Sequence, residues 1–307
     1  MNLSKSKSLI LLHVIIIIWG FTGILGKVIN LTSEAIVWNR MMIAFATLFI
    51  IQIINKQHLQ IHRIHFFKYC GIGFIIAIHW ICFFEAIKLS TISLALICLS
   101  SISLFTAILE PLIQKKRILI SQLLLSLMVI LGITIVFNYE IAYTKAIILS
   151  ILSAFFGALF TVLNHQLIQK KHKSMTITTW EMFGGGVMIT VYFLFNNTFY
   201  CLFNDNINMV TIYNKLNITI LPDGTDIIYI IVLALVCTAF AFYASIEVMK
   251  RITPFTVNLS VNLEPIYAII LATIFFGEEE KMSSGFYVGS IIILSSILIN
   301  TLIKQKK

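Results

Sequence analysis

The sequence predicts an all-α integral membrane protein with ten transmembrane helices arranged as two inverted five-helix repeats. Three observations lead there. Hydrophobic residues make up 59% of the 307-residue chain and charged residues 11%, less than half the charge of an ordinary soluble domain, and mean hydropathy is +0.97. So little charge cannot cover a water-facing surface, whereas lipid demands an apolar one. The apolar residues fall in runs of roughly 20, the length of helix that spans a bilayer core. Lys and Arg are also distributed unequally between alternate connecting segments.

The elements follow in order. The first run, 9–29, comes after Lys5 and Lys7, as a signal peptide would, but its apolar character continues past Trp19 with no small-residue cleavage site, so it stays as a helix. The second, 35–54, opens at Trp38, and the third, 66–87, ends in Glu85-Ala86-Ile87-Lys88. The fourth, 91–113, carries Glu110-Pro111. The fifth spans 118–137 and the sixth 143–168. The seventh, 175–195, contains Trp180-Glu181 and then Gly184-Gly185-Gly186, which reads as a flexible point. The Asn-rich connector 197–224 is the one place for a small extra-membrane element, and its Pro222-Asp223-Gly224 turn starts the eighth helix, 226–249. The ninth is 254–276. The tenth, 283–303, holds Gly285 and Gly289 at GxxxG spacing, a face for packing or for a homodimer. Runs rich in Ile and Val at this length read as helix in lipid.

Charge sets the orientation. On the side of the N-terminus each segment carries two or three cations: Lys5 and Lys7; Lys56, Arg63 and Lys68; Lys115, Lys116 and Arg117; Lys170, Lys171 and Lys173; Lys250 and Arg251; Lys304, Lys306 and Lys307. The opposite side carries Lys27, Lys88, Lys145, Lys215 and Lys281, one per segment. Both termini are therefore expected in the cytoplasm. The net charge of +9 is spread in these short clusters, which suits anionic lipid and not nucleic acid. Cys70, Cys82, Cys98, Cys201 and Cys237 show no metal or disulfide spacing. Weak internal echoes place the repeat boundary near residue 140, giving units 1–140 and 141–307: Trp19-Gly20 with Phe156-Gly157, Trp38 with Trp180, and Glu85–Lys88 with Glu247–Lys250. Five helices per unit invert the second relative to the first, a plan common among secondary transporters.

Nearly the whole chain resembles EamA-type permeases of the drug/metabolite transporter superfamily. The resemblance rests on Trp19-Gly20, Arg40, Ala86-Ile87-Lys88 and, most clearly, Asn262-Leu263-Glu264-Pro265-Ile266-Tyr267-Ala268 running on to Phe276-Gly277-Glu278. Where the family has Ser-Pro-Leu-Phe in helix four, this chain has Ser103-Leu104-Phe105 and lacks the proline. The resemblance implies ten helices, a bacterial inner-membrane address and movement of a small-molecule solute, without naming the solute.

Several residues are candidates for the solute or coupling path. Glu264 lies about ten residues into helix nine, roughly 15 Å from its start, where a carboxylate costs about 2.5–3.5 kcal/mol unless it faces a polar cavity. It either binds solute or protons or is bonded to Ser260. Pro265 removes a helix hydrogen bond beside it. Asn258 and Asn262 share a helix face and serve either solute or helix pairing. Tyr267 and Tyr243 would line the same path. Arg40 either attracts an anionic group or snorkels to the surface and pairs with Glu34. His79 and Trp80 lie midway along helix three, where a histidine can relay protons; Trp19 lies midway along helix one. Glu85–Lys88 and Glu247–Lys250 read as surface pairs, Glu110 as an interfacial residue, Glu278-Glu279-Glu280 as a solvated turn, and His58, His62 and His65 as a basic loop. No P-loop, GxSxG or HExxH occurs, so no cofactor, metal or enzymatic activity is expected. The expected function is alternating-access transport, in the exporting direction, with proton coupling if Glu264 loads and releases a proton each cycle. The alternatives are a membrane scaffold or sensor, and an intramembrane lipid-modifying enzyme.

Overall fold

Small polar side chains just ahead of apolar runs start the helices. In the computed structural model, which describes residues 4–56, 61–117, 120–202 and 220–305, Ser4, Thr32, Thr91 and Thr253 accept from backbone N–H groups three residues on, satisfying donors that a first turn leaves open. The helices are α1 (Lys5–Val28), α2 (Ser33–Ile54), α3 (Arg63–Leu89), α4 in two pieces (Ile92–Leu99 and Ile102–Gln114), α5 (Ile120–Tyr139), α6 (Thr144–Gln169) and α7 (Ser174–Leu202). They continue with α8 (Asp226–Val248, with a π-helical turn at Leu235–Phe240), α9 in two pieces (Pro254–Val261 and Glu264–Phe276) and α10 (Ser284–Gln305). At the face of the N-terminus, α2, α4 and α6 close at Lys56, Lys115 and Lys171 in the left-handed conformation, where cations meet the negative ends of the helices.

Among the described residues nine helices are long and apolar enough to cross a membrane, and α10 adds the shorter apolar stretch Ser284–Ser296. No strand occurs among the described residues. The outward faces carry exposed Ile10, Phe21, Ile50, Phe67, Leu124, Leu131, Ile148, Val191, Ile228 and Ile274. The fold is that of an all-α membrane protein. Residues 203–219, where an extra-membrane element was expected, lie outside the described residues.

Helix pairing is reciprocal between the halves. α2 packs on α7, α4 on α9 and α5 on α10, while α1 packs on α8 as α6 packs on α3. Exchanging the halves returns the same set, as two repeats require. Gly20 of α1 lies against Tyr267 and Ala268, just past the break in α9, and Gly157 of α6 lies against Ile102, just past the break in α4.

One expectation about glycine is corrected and another is resolved to its packing alternative. Gly184 and Gly185 are not a loose point: a Cβ on Gly184 would meet the Cys70 backbone of α3, and one on Gly185 would meet Met41 and the Gly73 carbonyl. The close α3–α7 crossing needs them. The Gly285/Gly289 face is occupied within the chain, against Tyr139, Gly132 and Val136 of α5, so it is not free for a second copy.

Candidate functional site

The sequence reads α4 and α9 as continuous, but each is broken near its middle. In α4 the Ser100, Ser101 and Ser103 hydroxyls turn back onto the carbonyls of Leu96, Cys98 and Ser100, the local competition by which Ser disrupts a helix. In α9 the chain turns at Asn262-Leu263, and Pro265 at the start of the second piece has no N–H to continue the ladder. The two breaks face each other: Leu96, Leu99 and Ser100 line one small crevice with Val261, Asn262, Glu264 and Pro265. Across it the Asn262 amide pairs with the Ser103 hydroxyl (3.2 Å), and Asn258 donates to Thr106 (2.7 Å). Of the two roles open to these asparagines, both therefore tie α9 to α4, and Asn258 also faces the cavity beside them.

That cavity has a volume of about 70 Å³, enough for several waters. Trp19, Trp80, Phe83, Phe160 and Phe242 form apolar walls, and Thr22, Arg40, His79, Thr161, Asn164, Ser245, Asn258 and Glu264 supply polar groups. Arg40 does not snorkel and does not pair with Glu34, as the sequence allowed. It is 1% exposed, donates from Nε to Thr238 Oγ1 (2.9 Å), and lies 3.7 Å over the Trp80 ring. Its Nη1 is buried without a partner among the described residues. The π-helical turn of α8 makes this arrangement. Thr238 donates to the carbonyl of Leu233, five residues back, and presents its oxygen to Arg40; π turns often mark functional positions. Trp19 Nε1 donates to the Cys237 carbonyl of the same turn (3.3 Å).

Glu264 is 5% exposed and sits in the first turn of the second piece of α9, where the helix dipole favours a negative charge. It makes no hydrogen bond or ion pair to the described residues. Ser260, the expected partner, donates instead to the Thr256 carbonyl (2.9 Å). His79 Nδ1 lies 2.8 Å from the Ser153 carbonyl and 2.9 Å from its hydroxyl. Behind the cavity Asn164 donates to Glu181 (3.4 Å), a fully buried acid.

Of the residues singled out from the sequence, Trp19, Arg40, His79, Trp80, Asn258 and Glu264 line the cavity. Asn262 and Pro265 line the adjoining crevice. Tyr267 packs on Gly20, and Tyr243 is half-buried on α8; neither lines the cavity or the crevice. Sequence reasoning passed over Thr22, Phe160, Phe242 and Ser245, which carry no signal beyond polar or aromatic character in an apolar run, and it placed Asn164, which lines the cavity, nearer water.

Other acids also differ from their sequence reading. Glu280, expected in solvent, is buried and accepts from the Ile92 and Ser93 N–H groups, the Ser93 hydroxyl and Lys27. Glu110 accepts from the Phe255 N–H (2.9 Å) at the start of α9. Each broken helix thus ends in an acid that caps the other's N-terminus, one at each membrane face. Glu247–Lys250 is a pair at 2.6 Å, but Glu85 binds Ser33 and Lys88 binds the Leu31 carbonyl. His58 lies outside the described residues. Among the described residues no group of three or more His, Cys, Asp or Glu is placed to hold a metal.

Two facing helix breaks around a cavity that mixes aromatic walls with buried ionisable groups define a polytopic membrane protein with a small, partly polar internal cavity. The family model of EamA-like transporters matches residues 6–138 and again 144–302, and the chain belongs to that family. It is thus a membrane protein of a transporter family. No curated protein sequence matches the chain. A protein of known crystal structure superposes with a TM-score of 0.69 over 98% of this chain and 99% of that one, at 14% identity, which shows a shared fold.

Proposed function

We propose that the chain is a secondary transporter that carries a small organic solute through this cavity by alternating access, its halves 1–140 and 141–307 rocking about the facing breaks. The observation that carries the proposal is the cavity itself. Discontinuous helices from both repeats meet there, and Arg40 and Glu264, one from each half, are buried in it without charged partners among the described residues. Such groups are costly in lipid and are retained where they act on a solute or ion. The reciprocal caps supply the alternation: Glu280 holds one face closed and Glu110 the other, and each has to part in turn. Met249 lines both the cavity and a basic vestibule with Lys116, Lys250 and Arg251 at the N-terminal face. By the distribution of Lys and Arg that face is cytoplasmic, and the family resemblance sets it in a bacterial inner membrane.

Glu264 is the proposed proton carrier. Accumulation of a labelled metabolite panel in cells making the protein, beside cells making Glu264→Gln at equal abundance, tests transport; no change for any solute speaks against it. In liposomes holding a pH-sensitive dye, solute-driven proton flux is expected to vanish in Glu264→Gln, and undiminished flux sinks the coupling.

A further inference from the structure

We infer that the groove between α3 and α6 at the face of the N-terminus binds an anionic phospholipid, its phosphate held by Lys68, Lys170 and His65 and one acyl chain lying along Gly71. The site is separate from the central cavity and does not depend on the transport reading. The groove has a volume of about 500 Å³ and is lined by α3 and by the end of α6 with the loop after it. Among the described residues no Asp or Glu lines it. Lys68 and Lys170 are exposed, and neither forms an ion pair with a described residue. The His65 and His172 rings meet edge to face, 4.7 Å between centres. His172 Nδ1 is taken by the Tyr69 hydroxyl, whereas His65 Nδ1 is buried with no hydrogen-bond partner among the described residues. Besides burial, His65, Lys170 and Lys68 all lower the His172 pKa, which places the three around one point.

Depth along the helices separates a lipid from a free anion. α3 starts at this face and α6 ends at it, so Lys68 and Lys170 stand at the rim while Ile75 and Leu163 stand about 10 Å deeper. Gly71 keeps the groove open between the two levels, since a Cβ there would meet nothing within 4 Å. Cations at the interface above an apolar channel match the order of groups along a phospholipid, and basic pockets between membrane helices take anionic headgroups. A free phosphate would use the rim and leave the channel empty. A phosphate oxygen supplies the acceptor that a protonated His65 Nδ1 lacks, whereas a choline group would bring one more cation to a place already crowded with them. The repeat does not force this charge. At the corresponding seam on the opposite face, between the end of α1 and the start of α8, the Asp226 carboxylate accepts from the Asn30 N–H (2.9 Å), so an acid sits where cations gather here. One wall of the groove comes from each family-matched stretch, and bound lipid therefore ties the two halves together at this face.

The test uses the purified full chain in a neutral detergent and reads its unfolding temperature, which a ligand of the native state raises. Phosphatidylglycerol, phosphatidylcholine with the same chains, and free glycerol phosphate are each titrated in. Phosphatidylglycerol is expected to raise the unfolding temperature at lower concentration than phosphatidylcholine, and glycerol phosphate is expected to leave it unchanged. Lys68→Ser combined with Lys170→Ser should raise the half-saturating concentration of phosphatidylglycerol about 30-fold, from the loss of two interfacial lysines. Lys173→Ser removes an exposed lysine that does not line the groove and should leave that concentration as it is. Gly71→Leu keeps every charge, places its Cβ in open space and fills the channel, so it should weaken phosphatidylglycerol as well. Equal stabilisation by phosphatidylcholine or by glycerol phosphate, or none by any of the three, overturns the inference. So does a loss from Lys173→Ser as large as that from the pair, or wild-type binding by Gly71→Leu. The three ligands are compared on the unaltered chain, so a variant that misfolds leaves that comparison standing.

Discussion

Glu280→Ala removes a carboxylate that joins the end of α9 to the start of α4. The side chain is fully buried; Oε2 accepts from the Ser93 N–H (3.1 Å) and hydroxyl (2.7 Å), and Oε1 from the Ile92 N–H (3.2 Å) and Lys27 (3.0 Å). Without it two backbone donors in the first turn of α4 lose their partner where water is scarce, at about 1–3 kcal/mol for each orphaned group. Lys27 is not stranded, since Glu279 already lies 3.3 Å away. The loss should therefore fall near the low end for a broken buried pair, about 3 kcal/mol, with Glu280→Gln less damaging because an amide oxygen still accepts. Glu279 is mostly exposed, so Glu279→Ala should cost under about 1 kcal/mol. Thermal unfolding followed by tryptophan fluorescence in detergent measures all three. Glu280→Ala should melt at least about 5 °C below wild type. Melting at the wild-type temperature, or equal damage from Glu279→Ala, would refute the capping argument.

Other expectations follow from the same reasoning. Glu110→Ala leaves the Phe255 N–H without this acceptor and should destabilise by at least about 1 kcal/mol, read in the same melt. Gly184→Ala drives a methyl into the Cys70 backbone and should cost about 1–3 kcal/mol by overpacking; a wild-type melting temperature would contradict the close crossing. His172, in the loop before α7, lies 2.5 Å from the Tyr69 hydroxyl. Burial first, then the positive neighbours His65, Lys170 and Lys68, lower its pKa below the usual imidazole value. The unfolded chain then binds the proton more readily, so this contribution to stability is full above the ordinary histidine pKa and is lost as pH falls through the depressed one. His172→Gln should flatten the acid side of the stability–pH curve, and an unchanged slope would count against it.

The spans, their alternation and the two-fold internal repeat were legible because composition and charge placement report directly on lipid. The break in α9 was half-visible in Pro265, while that in α4 was hidden, since Ser100 and Ser101 look like tolerated small polar residues until their hydroxyls are seen turning inward. Arg40 was misread for a different reason. Its partner Thr238 lies 198 positions away, and local sequence offered Glu34 instead. Glu110 looked interfacial and Glu280 solvated because the N–H groups they cap belong to a distant helix, and backbone donors leave no mark in a sequence.

The central claim, that one cavity opens to each side in turn, is tested most directly by thiol labelling at Ser245, which lines the cavity near Met249. Ser245→Cys in a chain freed of its native cysteines would be treated with a membrane-impermeant thiol reagent from either side of sealed, uniformly oriented vesicles. The account predicts labelling from both sides. Labelling from one side only, in folded protein, would contradict it.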